Sequence, residues 1–205
     1  MSLSENLIDL KEAAEGKDGL IHKAEAMGEE LILWTHPSTV VALAQFLKLD
    51  AVSQCSQLMD ITAIDYPGQS PRFVVAYQFL SLTLNLRVRV KVAVDDTTPV
   101  PTVENLFPSA GWYEREVWDM YGLFFEGNKD LRRILTDYGF AGHPLRKDFP
   151  LTGHSQVRYD AEEQRVVYEP VSLAQEYRSF DFLSPWEGVT QLPGDEKAAE
   201  EGQGA

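Results

Sequence analysis

The chain has 205 residues, enough for one domain with appended segments, and its net charge of −14 argues against binding nucleic acid, which requires clustered Lys and Arg. Its single cysteine, Cys55, excludes an internal disulfide, favours a reducing compartment and cannot supply the roughly four ligands of an iron–sulfur cluster. The longest apolar run, FVVAYQFLSLTLNL, is interrupted by polar residues and is shorter than the roughly 20 residues that span a bilayer.

Residues 1–30 form an acidic segment in which one short helix is predicted. Ser4 is a suitable N-cap, Leu7 and Leu10 supply apolar positions, and Gly16 is a suitable stop. The N-terminus has neither the basic region of a signal peptide nor an Arg-rich transit pattern. We therefore expect an unprocessed cytosolic chain.

Residues 31–125 are predicted to form a globular α+β domain. The run ELILWT favours a strand, and Pro37 suits the first turn of a helix that follows it. That helix has four apolar residues on one face, namely Val40, Leu43, Ala44 and Leu47. The runs QLMDITAIDYP and RFVVAYQFLSL predict an antiparallel hairpin. We expect a small mixed or antiparallel sheet with packed helices.

The stretch LRVRVKVAV alternates strictly between apolar and other residues, which predicts a strand with one buried face. The opposite face carries Arg87, Arg89 and Lys91. Two interpretations of this basic face remain open. The cations either protect an exposed edge strand against aggregation or dock an acidic partner.

A further helix is predicted to begin after Ser109, a suitable N-cap, and to end just before Gly122. It contains four charged residues, namely Glu114, Arg115, Glu116 and Asp119. Helical spacing lets Arg115 pair with Asp119 and puts Glu116 on the same side as Asp119. Carboxylates flanked by aromatic rings could act as acid and base in a hydrolase. Neighbours on one helix face make a poor cleft, however, so an ion-pair network is favoured.

From residue 126 onward, glycine and proline leave little room for regular structure, except that VRYDAEEQRVVYEP can form a hairpin. This part of the chain nevertheless carries too many apolar and aromatic side chains to remain in water. We therefore expect residues 126–192 to be a long extended C-terminal arm that orders against another subunit. An acidic disordered tail is expected at residues 193–205.

Other candidate sites are weak. The glycines of DYGFAGHPLRK lack the spacing of a nucleotide-binding loop and are expected to occupy turns. The four histidines form no H-x-x-x-H pair for zinc, and we expect His143 to satisfy backbone carbonyls. Cys55 is expected to be small core filler rather than a nucleophile.

The stretch from Trp112 to Gly153 resembles the signature region of the family of C-type subunits of NADH:quinone oxidoreductase, also called the thirty-kilodalton subunits of respiratory complex I. The matching motifs are E-R-E-x-x-D from Glu114, F-E-G from Phe125, D-L-R-R-I-L from Asp130 and D-Y-G-F-A-G-H-P-L-R-K-D-F-P-L from Asp137. The family commonly has His-Pro after F-E-G, where this chain has Asn128 and Lys129. The resemblance covers residues 31–190.

This resemblance implies a scaffold subunit in the peripheral arm of a proton-translocating NADH:quinone oxidoreductase. The chain itself is expected to bind no cofactor or metal and to have no catalytic residue, with FMN and iron–sulfur clusters in other subunits. Its implied partners are the large D-type subunit that forms the quinone site, which we name the quinone-site subunit, and neighbouring iron–sulfur subunits. The implied location is the cytoplasmic face of the bacterial inner membrane, with membrane contact only through the complex.

Under this hypothesis a set of polar side chains joins the domain, the arm and the partner. It comprises Glu114, Arg115, Glu116, Asp119, Arg132, Arg133, His143, Arg146 and Asp148. Two alternatives remain open. One is the equivalent subunit of a membrane-bound hydrogenase-type complex, against which the run FDFLSPWEG weighs. The other is a free-standing hydrolase that uses Glu116 and Asp119 and is compact, whereas the scaffold hypothesis predicts protease sensitivity after about residue 125.

Overall fold

The computed structural model describes residues 5–17, 19–175 and 177. Its helices are α1 (Glu5–Glu15), α2 (Val40–Leu49) and α3 (Ala110–Tyr121), and a 3-10 turn at Pro37–Thr39 precedes α2. Its strands are β1 (Lys23–Met27), β2 (Glu30–Thr35), β3 (Gln57–Asp65), β4 (Phe73–Ser81), β5 (Leu86–Val94), β6 (Val100–Pro101), β7 (Phe125–Glu126), β8 (Ser155–Asp160) and β9 (Arg165–Pro170). The chain divides into two compact units, residues 1–153 and residues 154–205.

A five-stranded mixed sheet organises the first unit. Its strand order is β1-β2-β5-β4-β3, with β2 parallel to β5 and the other neighbours antiparallel. The predicted hairpin is β3 and β4, and the predicted α+β class is confirmed. Strands β6 and β7 form a separate short parallel pair.

The core of this unit follows the periodicity of the sequence. The four apolar residues predicted for one face of α2 are all buried, and so are the five apolar residues of the alternating strand β5. Helix α1 contributes Leu7, Leu10 and Ala14 to the same core, and β1 pairs with β2. Helix α1 and strand β1, which precede residue 31, therefore belong to the same core and sheet as the domain predicted for residues 31–125. Helix α1 is amphipathic, and the core of this domain is where it buries its apolar face.

Strand β5 lies in the middle of the sheet, between β2 and β4. The interpretation of its cations as protection of an edge strand is therefore wrong. The alternation of residues correctly predicts the buried face, but it does not say how many strands pair with the backbone. A parallel pairing with the distant strand β2 supplies the second neighbour.

Helix α3 has the predicted bounds and packs against β3. Gly122 follows it with a φ of 77°, in the left-handed region that favours glycine. Ser109 was predicted to cap the start of the helix, but its side chain makes no capping hydrogen bond. Its backbone is already helical, and its hydroxyl donates instead to the carbonyl of Leu58, 3.5 Å away.

The described part of the second unit is an antiparallel hairpin of β8 and β9, as predicted. The run FDFLSPWEG and the acidic tail at residues 193–205 lie outside the described residues. Within the described ranges, no helix combines the length and the apolar character needed to cross a membrane.

Candidate functional site

The charged residues of α3 hold a long irregular stretch of chain. Residues 127–149, which we name the anchored segment, follow β7 and contain no helix or strand. Because irregular backbone has no hydrogen-bonding ladder of its own, its polar groups need partners elsewhere. Side chains from α3 and from the end of β3 supply many of them.

Asp119 is the most densely bonded of these side chains. It is fully buried and accepts five hydrogen bonds from the anchored segment. Its Oδ1 accepts from Arg133 Nη1 at 2.7 Å and from Thr136 Oγ1 at 2.6 Å. Its Oδ2 accepts from the backbone N–H groups of Ile134, Leu135 and Thr136 at 2.8 to 3.0 Å.

Both oxygens of Asp119 are thus occupied by donors that favour the ionised form. Burial by itself raises the pKa of this carboxyl, but the hydrogen bonds from Thr136, Leu135 and Ile134 outweigh it. The pKa of Asp119 is therefore held well below its usual range. This carboxylate is a fixed anion that binds a turn of backbone.

Arg115 makes the complementary contact to backbone carbonyls. It is 5% exposed, and it donates from Nε to the carbonyl of Arg132 at 3.1 Å and from Nη2 to that of Arg133 at 3.0 Å. The expected pair of Arg115 with Asp119 is absent among the described contacts. Arg133 pairs with Asp119 instead, because the anchored segment turns its carbonyls toward Arg115 and its N–H groups toward Asp119.

Glu114 is also buried, but its donors are neutral. Its carboxylate accepts from Thr102 Oγ1 at 2.6 Å, from the backbone N–H of Val103 at 2.9 Å and from Asn128 Nδ2 at 2.7 Å. Burial outweighs these hydrogen bonds and raises the pKa of Glu114. Asn128 thus fixes the start of the anchored segment to α3.

The C-terminal end of α3 is capped by a later part of the anchored segment. His143 Nδ1 lies 3.0 Å from the carbonyl oxygen of Asp119, and since a carbonyl only accepts, this nitrogen is the donor. The backbone N–H of Leu145 and Nε of Arg146 donate to the next two carbonyls at 3.1 and 2.6 Å. The expectation that His143 satisfies a backbone carbonyl is confirmed, although the carbonyl belongs to α3 rather than to its own turn.

Gly122 allows this close approach. A Cβ at this position would lie 2.5 Å from His143 Nε2 and 2.8 Å from Arg146 Nη2. Any larger residue would therefore strain a left-handed backbone and also displace the two capping side chains.

A second anchor, Asp65 at the end of β3, was not predicted from the sequence. It accepts from Arg72 Nε at 2.6 Å and Nη2 at 2.7 Å, and from the backbone N–H of Lys147 at 2.8 Å. Arg72 also donates to Asp148 at 3.1 Å. The hydrogen bonds from Arg72, followed by that from Lys147, lower the pKa of Asp65 despite its burial.

A signal for Asp65 is present in the sequence. It continues the period-two pattern of Ile61 and Ala63, both of which are buried in β3. A carboxylate at a buried strand position requires a partner, and this requirement predicts a structural ion pair.

The remaining predicted residues divide into two groups. Arg133, His143, Arg146 and Asp148 lie in the contacts described above. Glu116 is exposed and forms no ion pair among the described residues, and the side chain of Arg132 is exposed and pairs only with Asp130 at 2.9 Å. Glu116 and Asp119 therefore do not form a shared acid–base site.

The predicted basic face of β5 is partly neutralised within the sheet. Arg89 pairs with Glu30 at 2.8 Å and donates to Gln78 at 3.2 Å. Lys91 lies over the ring of Trp34, 5.1 Å from its centroid. Arg87 is the most exposed of the three cations. Docking of an acidic partner on this face stays a prediction, and the face offers fewer unpaired cations than the sequence suggests.

Two further predictions concern metal ions and Cys55. Within residues 5–17, 19–175 and 177, no three His, Cys, Asp or Glu side chains are arranged to hold a metal ion. Cys55 is fully buried in the core, as expected of core filler, and burial raises the pKa of its thiol to about 12.

The amino-acid sequence of this chain matches a known family. The model of the family described as respiratory-chain NADH dehydrogenase, 30 Kd subunit, matches residues 33–155, which include strands β3 to β5, helix α3 and the anchored segment. This chain belongs to that family. The resemblance inferred from the signature motifs is therefore confirmed.

Individual members of the family are similar over most of their length. The NADH-quinone oxidoreductase C subunit of Paramagnetospirillum magneticum is 60% identical over 169 residues, 82% of this chain and 85% of the relative. The protein of the same name from Chelativorans sp. is 52% identical over 198 residues, 96% of this chain and 99% of the relative.

A solved structure has a similar fold. A chain of the membrane-bound sulfane sulfur reductase, an archaeal respiratory membrane complex, superposes with a TM-score of 0.62 at 25% sequence identity. The match covers 72% of this chain and 87% of that chain.

Proposed function

We propose that this chain is a scaffold subunit in the peripheral arm of a proton-translocating NADH:quinone oxidoreductase, where it supports the quinone-site subunit. Relatives that are 52 to 60% identical and carry the name of the NADH-quinone oxidoreductase C subunit support the assignment to this complex. In this proposal FMN and the iron–sulfur clusters belong to other subunits. The chain lies on the cytoplasmic face of the membrane and meets the bilayer only through the complex.

The main support for the scaffold role comes from the anchored segment. Asp119, Arg115 and Asp65 make hydrogen bonds to its backbone. Glu114 accepts a hydrogen bond from its Asn128 side chain. In this proposal these buried charges have a structural role. The segment in turn presents large apolar side chains to the outside, namely Leu135 at 63%, Tyr138 at 93% and Leu145 at 47% exposure. Apolar anchors on a fixed backbone are what stable protein interfaces use. We infer that this surface contacts the quinone-site subunit.

The geometry of α3 argues against the hydrolase alternative. A catalytic carboxylate must be free to exchange a proton with substrate. Asp119 has both oxygens saturated by donors from its own chain, and Glu116 is exposed and forms no ion pair among the described residues.

The hydrogenase-type alternative receives support at the level of the fold alone. The similarity to a chain of the archaeal sulfane sulfur reductase complex indicates that this fold also serves other membrane-bound respiratory complexes. The NADH-linked relatives are much closer in sequence, at 60% against 25% identity. We therefore favour the NADH-linked complex.

The composition of the native assembly tests this assignment. The chain would be tagged in its own organism, extracted from membranes in mild detergent and purified, with an untagged strain as control. We expect subunits of an NADH:quinone oxidoreductase to co-purify, including the quinone-site subunit. Co-purification of hydrogenase-type subunits, or recovery of the chain alone, would contradict the proposal.

A further inference from the structure

Two exposed histidines meet at one end of the pair of strands β1 and β2. His22 directly precedes β1, and His36 directly follows β2. The centroids of their rings lie 4.7 Å apart. Both residues are exposed, so a small ion can reach the two rings from solvent.

The backbone on both sides of this pair is held by hydrogen bonds. The N–H of His22 donates to the carbonyl of Trp34 at 3.0 Å, which continues the antiparallel pairing of β1 with β2. The carbonyl of His36 accepts from the N–H of Thr39 at 3.0 Å and from its hydroxyl at 3.1 Å. Because folding already brings the two rings together, a ligand that binds both of them orders little further chain.

The separation of the two rings suits two ligands of one metal ion. A zinc ion binds an imidazole nitrogen at about 2.0 to 2.1 Å, which puts the ion about 3.2 Å from the centre of the ring. Two such rings that subtend about 90° to 109° at the ion have centres about 4.5 to 5.2 Å apart. The observed 4.7 Å falls within this range. The χ2 torsion of histidine is broad, so exposed rings can turn a nitrogen toward a shared ion without a change in the backbone.

The chemistry of the ligands selects a class of ion. Imidazole nitrogen suits Zn²⁺, Ni²⁺ and Cu²⁺, whereas Mg²⁺ and Ca²⁺ require oxygen ligands. Within the described ranges, no third His, Cys, Asp or Glu completes a metal-binding group with the two histidines. Water would fill the other positions around the ion, and the general order of affinities then predicts tighter binding of Cu²⁺ than of Zn²⁺.

The surrounding charges do not oppose a cation. Lys23 is adjacent to His22 in sequence, but it pairs with Glu25, and its ammonium lies over the ring of Trp34, 6.0 Å from the centroid. A carboxylate thus offsets the charge of Lys23 and lessens its repulsion of a bound ion. The net charge of −14 also favours the approach of cations to this chain.

We propose that His22 and His36 together bind one divalent transition-metal ion, and that the bound ion ties the start of β1 to the connection between β2 and α2. The resemblance described above implies that the chain binds no metal, so this site departs from that expectation. The site does not depend on the proposed function, because both of its ligands belong to this chain.

Metal titration of the purified full-length chain, without a polyhistidine tag, tests the site. The probes are Zn²⁺ and Cu²⁺, with Mg²⁺ as the control ion. We expect calorimetry to give one Zn²⁺ ion per chain, tighter binding of Cu²⁺ and no binding of Mg²⁺. His22→Asn and His36→Asn should each weaken Zn²⁺ binding by about tenfold or more, because only one imidazole remains.

The matched control is His154→Asn, the same change at another exposed histidine, which should leave Zn²⁺ binding unchanged. Absence of Zn²⁺ binding in the wild type would overturn the proposal. Equal affinity in the wild type, His22→Asn and His36→Asn, or an equal loss in His154→Asn, would overturn it too.

Thermal unfolding gives a second measurement. At a free Zn²⁺ concentration ten times the dissociation constant, we expect the melting temperature of the wild type to rise by about 3 to 6 °C and EDTA to reverse the rise. The double variant His22→Asn/His36→Asn should melt close to the wild type without metal, since both rings are exposed, and should show no rise with Zn²⁺. A rise of equal size in the double variant would contradict the site.

X-ray absorption at the zinc edge identifies the ligands directly. The Zn²⁺-loaded wild-type chain should show the scattering of two imidazoles, and His36→Asn at saturating Zn²⁺ should show that of one. An ion held by oxygen ligands alone in the wild type would overturn the proposal.

Discussion

Asp119 and Glu114 are both buried carboxylates of α3, yet their surroundings shift their pKa values in opposite directions. Burial raises the pKa of Asp119, but hydrogen bonds from the Thr136 hydroxyl and from a run of backbone N–H groups outweigh it and hold that pKa low. Glu114 has only neutral donors, and burial raises its pKa. The ionised form is therefore favoured at Asp119, and also at Asp65 at the end of β3, by their hydrogen bonds.

Replacement of Asp119 by asparagine tests this anchor. Asp119→Asn keeps the shape but directs an amide donor toward other donors and leaves Arg133 unpaired. We expect the free energy of unfolding to fall by roughly 2 to 4 kcal/mol, toward the low end for broken buried ion pairs because Arg133 is partly exposed. Urea unfolding followed by tryptophan fluorescence measures the change.

The matched control is Glu116→Gln, the same chemical change three residues earlier on an exposed side chain. It should change the free energy of unfolding by less than about 0.5 kcal/mol. If both variants lose equal stability, the contacts of Asp119 are not specific.

Stability should also depend on pH through Asp119. Its pKa is lowered in the folded state, whereas the unfolded chain has a value of about 4. The stabilisation is therefore present above about pH 4 and is lost as the pH falls toward the folded-state pKa. Glu114, whose pKa is raised, contributes with the opposite sign, so it favours the folded state at low pH and less as the pH rises.

We therefore expect the difference in unfolding free energy between wild type and Asp119→Asn to shrink from pH 5 to pH 3. Urea titrations at three pH values in this range measure it. A difference that stays constant would mean that the ionised carboxylate is not the stabilising species.

Helix α3 is the element that connects the sheet to the anchored segment. Its side chains bind residues 127–136 of the segment, and its last carbonyls accept from residues 143–146. The sequence predicts the bounds of this helix, the buried face of α2 and the presence of both hairpins, because these depend on local periodicity and turns. It does not predict that Arg115 binds carbonyls, since those acceptors belong to backbone whose path local patterns do not specify.

Gly122 provides a test of the capped end of α3. Gly122 and Gly139 both have a left-handed backbone, with φ values of 77° and 81°. The Cβ added by Gly122→Ala would clash with His143, whereas the Cβ added by Gly139→Ala would have no atom within 4 Å. Both variants should lose about 1 to 2 kcal/mol for the backbone. Only Gly122→Ala should lose more and speed hydrogen exchange around residues 143–149. Equal losses of stability in the two variants would mean that the close approach of His143 to Gly122 does not stabilise the capped end of α3.

For the molecule as a whole, the structure changes the expected pattern of proteolysis. The sequence predicts sensitivity after about residue 125, but the anchors bind the chain through residue 148. We expect residues 130–149 of the isolated wild-type chain to resist brief protease treatment, with the first cuts beyond residue 153. Asp119→Asn should admit cuts within residues 130–149. Early cleavage there in the wild type would contradict the anchoring.

A scaffold subunit affects how much complex assembles and not the turnover of each complex, so assembly and turnover must be measured separately. In cells whose only copy is Arg115→Ala, native gels give the amount of assembled NADH:quinone oxidoreductase, and quinone-linked NADH oxidation per assembled complex gives its turnover. The control is Arg132→Ala, which removes an exposed guanidinium but keeps the carbonyl that accepts from Arg115. We predict that Arg115→Ala lowers assembly severely with near-normal turnover in the complexes that form, and that Arg132→Ala changes neither. Normal assembly of Arg115→Ala with reduced turnover would contradict the scaffold role.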